Sequence, residues 1–150
     1  MKLAEALSLR ADMQTQLQSL LQRAKQNARH QEGEEPAEDA TALLLEYDRV
    51  SNALEQIVVQ INARNLATQV APGLSMTAAL ARRDALRQQH RARTELANAA
   101  ATTADRYSRT EIRSIPAVSV RDLRSQADTL ARQARELDSR IQEVNWTTEL

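Results

Sequence analysis

The chain has no cysteine and no phenylalanine, and only two glycines and three prolines among its 150 residues. Without cysteine there is no disulfide framework, no thiolate nucleophile and no cysteine-ligated zinc. One tryptophan and two tyrosines bring the aromatics to 2%. With so few turn residues, that excludes a β-sandwich or barrel. Ala and Leu, 26 and 19 residues respectively, exclude collagen-like and disordered chains. No apolar run reaches the roughly 18 positions that a membrane-spanning helix needs. The first ten residues carry Lys2, Glu5 and Arg10 and lack the apolar core and cleavage site of a signal peptide. Phosphate-cradling glycine loops, Gly-x-Ser-x-Gly, His-Glu-x-x-His and Glu-x-x-His are also absent. The expectation is a cytoplasmic, non-enzymatic protein without catalytic residues, cofactor or metal.

What is present is helical periodicity. Leu3, Leu7, Met13, Leu17, Leu20, Ala24 and Ala28 recur at helical steps over 2–29, with Arg10 in the same seam. Gly33 and Pro36 then punctuate an acidic break. A second helix is expected to 67, with the seam Leu43, Tyr47, Val50, Leu54, Ile57 and Ile61. After a turn at 70–74, Ser75 or Met76 precedes a third helix to about 101, with the poorer seam Leu80, Arg83, Leu86, His90, Arg93 and Ala97. The stretch 102–110 reads as loop. Ile112, Ile115 and Val118 give 111–118 the only strand character in the chain, and Pro116 confines it to an edge or an extended arm. Ser119 can cap the last helix, whose seam runs Leu123, Ala127, Leu130, Ala134, Leu137, Ile141 and Val144. A short tail over 145–150 follows. The pattern predicts an all-α fold: one domain over 1–150, an antiparallel bundle of about four long helices. Steps averaging near 3.5 residues predict coiled-coil-like packing.

Twenty basic and twenty acidic residues cancel, but they are unevenly placed. Residues 30–60 hold eight acids against Arg49, whereas 82–124 hold ten arginines against five acids. His30, Glu32, Glu34, Glu35, Glu38 and Asp39 gather hard oxygen ligands. They have no paired histidine and no EF-hand spacing, so a solvated helix start is expected there. His90 lies among Arg82, Arg83, Arg87, Arg91 and Arg93. No aromatic side chain accompanies them for base stacking, and no nucleic-acid partner is expected. Asp105 to Arg109 concentrates polar groups in a loop but names no nucleophile and base. Trp146 is expected to dock the tail into a groove, with Asn145 satisfying backbone at the helix end.

The expected partner is therefore a second copy of the chain. Arg83 and Arg87 of the third helix, with Ile112, Ile115 and Val118 of the arm and Trp146, are the expected oligomer contacts. The basic third helix and the arm would meet the acidic first half of the second helix, partly across subunits. The product would be a homo-oligomeric scaffold.

Five pieces also resemble a known family when taken in order: Met1-Lys-Leu-Ala-Glu-Ala-Leu7, Gln31-Glu-Gly-Glu34, Leu80-Ala-Arg-Arg-Asp84, Arg106-Tyr-Ser-Arg109 and Asn145-Trp-Thr-Thr-Glu149. They are similar to the septicolysin-like family of small bacterial proteins over nearly the whole chain. That resemblance implies the alternative function, a pore-forming toxin that oligomerises on a bilayer, with the membrane as partner. It assigns no residue a role, and the chain lacks the tryptophan-rich tip that such a toxin would press into lipid.

Overall fold

The computed structural model describes residues 1–102 and 113–150. Four helices account for most of these residues: α1 Leu3–Gln26, α2 Ala40–Ala67, α3 Met76–Ala101 and α4 Val120–Thr147. A two-stranded sheet, β1 Gln69–Ala71 and β2 Leu74–Ser75, precedes α3. The chain divides into two compact units. One comprises 1–68 with 143–150, and the other comprises 69–142.

In the first unit, α1 and α2 form an antiparallel hairpin across the loop 27–39. Glu5 accepts the Lys2 backbone N–H at 2.6 Å, satisfying a donor at the start of α1. The helix stops at Gln26, short of 29, because Asn27 turns its side chain back to the Arg23 carbonyl at 2.9 Å. Asn27 Oδ1 also accepts the backbone N–H of Glu38 at 3.1 Å, so one side chain ends α1 and anchors the approach to α2. Asp39 caps α2 by accepting from the N–H groups of Thr41 and Ala42. Leu20, Leu43 and Val50 form a buried cluster packed against Met13, Leu17, Ala24 and Tyr47. Ile57 and Ile61 continue the buried face of α2, and Leu3 and Ala6 are fully inside. The last residues of the chain belong to this unit. Leu3 donates its N–H to the Thr148 carbonyl and Leu150 donates to the Met1 carbonyl, each at 2.9 Å. Lys2 and Glu149 form an isolated antiparallel bridge, closed by an ion pair between their side chains.

In the second unit, the stretch read as a turn is a small hairpin. Gln69 pairs with Ser75 and Ala71 with Leu74 around Pro72 and Gly73. Gly73 adopts φ +74°, a conformation that costs an L side chain energy. Ser75 Oγ accepts the Ala78 N–H and caps α3, and Ser119 caps α4 in the same way through the Asp122 N–H. Advancing along α3 from Arg83 to His90 to Arg93, the α4 partners retreat from Asp138 to Ala127 to Gln126. The two helices therefore run antiparallel. Their buried residues are small: Ala79 and Ala97 on α3, and Ala127 and Ala134 on α4, with Met76 and Ile141 as the bulky members. The arm expected at 111–118 is, in its described part 113–118, neither helix nor strand, whereas the strand pairing among the described residues lies at 69–75. The prolines at 72 and 116 share the explanation. Pro116 withholds a donor from any ladder, whereas Pro72 sits in a turn where none is needed.

Candidate functional site

Four polar side chains of α3, Arg83, Arg87, His90 and Arg93, meet partners on α4. Arg83 keeps only 19% of its side chain exposed and forks onto two acids. Its Nε and Nη2 donate to Asp84 Oδ1 at 3.0 and 2.9 Å, and its Nη1 donates to Asp138 Oδ1 at 3.2 Å. Arg87 Nη2 approaches the same Asp138 oxygen at 3.3 Å. One turn further, His90 Nδ1 donates to the Ala127 carbonyl at 3.0 Å. Arg93 Nε donates to Gln126 Oε1 at 3.0 Å and its Nη1 to the Gln89 carbonyl at 3.2 Å. Steps of three and four residues place Arg83, Arg87 and His90 on one helical face. Arg87, His90, Ala131, Ala134, Arg135 and Asp138 line a cleft of about 210 Å³ between the two helices.

A second concavity, of about 350 Å³, is lined mainly by apolar residues, with Thr102 and Ser114 among them. Leu96 and Ala99 to Ala101 of α3 form one wall, and 114–118 forms the other. Ile115, 79% exposed, and Val118 therefore stand together beside Leu96. Ile112 and the polar cluster Asp105 to Arg109 lie outside the described residues.

Trp146 is in a different setting from the one the sequence led us to expect. α4 continues through Thr147, so Trp146 sits on a helix rather than in a tail, and it is 60% exposed. Asn145, four residues after the buried Ile141, takes the inward position instead. The helical step turns the next residue, Trp146, about 100° away from it.

The acids near α2 have local partners. Arg23 Nε donates to Glu38 Oε2 at 2.9 Å, and this hydrogen bond holds the Glu38 carboxyl below its ordinary value. Arg49 does the same for Glu46 within α2. Asp39 is engaged as the cap of α2. Among the described residues no three acidic or histidine side chains stand together as metal ligands. No helix of the described residues is long and apolar enough to cross a membrane.

Comparison with known proteins bears on the resemblance drawn above. A family of unknown function, DUF6847, matches residues 10–150. A solved structure superposes with a TM-score of 0.95 at 37% identity, covering 100% of this chain and 98% of its own. It is described as the crystal structure of a functionally unknown conserved protein from Corynebacterium diphtheriae. No curated protein matches the chain. These findings correct the septicolysin-like assignment, which nothing in them supports. The five pieces that carried it are short runs of common helix-forming and polar residues with no chemical signature, so their order discriminates poorly between helical families. With that assignment goes the support for a pore-forming toxin. Matched over all but its first nine residues, the chain belongs to DUF6847, a family of unknown function.

Proposed function

We propose that this protein is a non-enzymatic helical protein that self-associates into a homo-oligomeric scaffold in the cytosol. The supporting observation is the apolar groove where Leu96, Ile115 and Val118 meet solvent together. Solitary exposed apolar residues are ordinary, but a grouped set rimmed by polar residues marks an interaction surface. A second copy of the chain suits it by charge. Arg91, Arg113, Arg121 and Arg124 are exposed in the unit that bears the groove, and Glu32, Glu34 and Glu35 are exposed on the loop 27–39. Neither set has an ion-pair partner among the described residues. Exposed pairs contribute about 0–1 kcal/mol each, so charge selects register while apolar burial supplies affinity. Ile112 and Trp146 are further contacts in this reading. Arg83 and Arg87 tie α3 to α4 through Asp138.

Native mass spectrometry at micromolar concentration tests the proposal. A homo-oligomer is expected for the wild type. The triple variant Leu96→Ser, Ile115→Ser, Val118→Ser is expected to be monomeric with an unchanged helical circular dichroism spectrum. A monomeric wild type, or a triple variant that assembles as before, overturns it.

A further inference from the structure

The cleft between α3 and α4 is a charged pocket separate from the groove proposed for self-association. Its two walls come from regular helix, which fixes the side chains well. Arg87 and His90 are three residues apart on α3, and Ala131, Ala134, Arg135 and Asp138 share one face of α4. The two alanines leave the space that larger residues would fill. At about 210 Å³ the cleft is smaller than the roughly 300–1,000 Å³ of pockets that enclose drug-sized ligands. It therefore fits a compact group, or the head of a larger molecule.

The electrostatics give that group a sign. Asp138 is the one acid in the lining, and its Oδ1 is already shared by Arg83 and Arg87. Arg135 has no ion-pair partner among the described residues. The lining thus carries two guanidinium groups against one carboxylate. His90 adds a directional partner. A carbonyl oxygen only accepts, so the proton is on Nδ1 where the ring meets Ala127. Among the described residues Nε2 has no hydrogen-bond partner, so in a ring already oriented in the cleft wall it is left for a ligand. In the neutral ring Nε2 accepts from a protonated oxygen, and in the imidazolium it donates to an anionic one. Two arginine forks and a histidine suit the several oxygens of a phosphate group better than the two of a carboxylate.

We infer that this cleft binds the phosphate group of a small phosphorylated ligand, held by Arg87, Arg135 and His90. A nucleic-acid backbone would need a row of such sites along an open surface with aromatic stacking partners, and a single cleft between two helices offers neither. The site stands whether or not the chain self-associates.

Binding of inorganic phosphate and of glycerol 3-phosphate, followed by calorimetric titration and by the His90 ring NMR signals, tests the inference. Ionic strength is held constant with chloride, and acetate serves as the carboxylate control. The phosphomonoester is expected to bind at least as tightly as inorganic phosphate, acetate at least tenfold more weakly, and the His90 signals are expected to move. Arg135→Gln, which removes no ion pair seen among the described residues, is expected to weaken binding at least tenfold with an unchanged melting temperature. Arg132→Gln, on the same helix but outside the cleft, is expected to bind as the wild type does. No binding above the chloride background, equal binding of acetate, binding of inorganic phosphate alone, or an unaffected Arg135→Gln variant would each overturn it.

Discussion

His90 and Ala127 are joined by a hydrogen bond from a ring nitrogen to a backbone carbonyl, 3.0 Å long and spanning two helices. The carbonyl lies inside α4, past its first turn, and so already has a helical N–H partner. Removing the imidazole therefore leaves no orphaned acceptor. His90→Leu is expected to cost about 1 kcal/mol, the net value of one such bond. The midpoint of urea denaturation measures this, and an unchanged midpoint would show the bond to be idle.

The interior should be far less tolerant than the exposed faces. Ile61 and Ile141 are 2% and 1% exposed, whereas Leu45 is 67% exposed on the outer side of α2. Ile61→Ala and Ile141→Ala are each expected to cost about 2–5 kcal/mol. Leu45→Ala should stay within about 0.5 kcal/mol of the wild type. Equal effects at positions 45 and 61 would mean that α2 presents a different face to its core.

Two backbone positions carry separate local costs. Asp39→Ala removes the acceptor for two N–H groups at the start of α2 and is expected to cost about 1 kcal/mol, with Asp39→Ser nearly neutral. Gly73→Ala meets no steric obstacle, since nothing lies within 4 Å of the added carbon. Its cost, about 1 kcal/mol, is that of holding an L residue at positive φ. Gly73→Asn should recover part of it. Thermal melts of the four variants separate these contributions.

The acid limb of stability follows from three carboxylates. Hydrogen bonds from Arg23, Arg49 and Lys2 hold Glu38, Glu46 and Glu149, respectively, below the ordinary value of 4.5. Folding thus favours their ionised forms. Their contribution is complete above that value and is lost as pH falls through the depressed ones. The melting temperature should be level from pH 7 to about 5 on their account and decline below. All three lie at the surface, so salt should shrink the decline. Lys2→Gln should remove part of it. A decline indifferent to both would assign the acid sensitivity to other groups.

Much of this architecture is legible in the spacing of apolar residues. Leu43, Val50, Ile57 and Ile61 on α2, and Ala127, Ala134 and Ile141 on α4, are all buried because helical periodicity alone decides which positions face inward. Leu54 and Leu130 are only half-buried, as expected at the margin of a stripe wider than one row. Met76 and Ala79 are buried in the turn before Leu80, where the apolar seam of α3 starts, so the spacing of that seam does not reveal them. The hairpin is hidden because three residues facing two show no alternation, although Pro72 and Gly73 mark the turn itself. Charge counted along the chain points from Arg83 and Arg87 towards the acids of α2, and within the chain both arginines meet Asp138 of α4. Segment totals carry no information about which helix lies alongside. The cleft shares that limit: Arg87 and Arg135 are 48 positions apart, and only antiparallel pairing of α3 with α4 makes them neighbours.

The bridge between Lys2 and Glu149 also bears on how the chain reaches its native state. Helical hairpins close short loops and fold early, whereas contacts between distant positions wait for the chain between them to be ordered. This bridge spans nearly the whole sequence, so it belongs to the final stage of folding. Trp146 lies on the last turn of α4, three residues before Glu149. The chain's single indole is thus a built-in fluorophore for the step that completes the first unit.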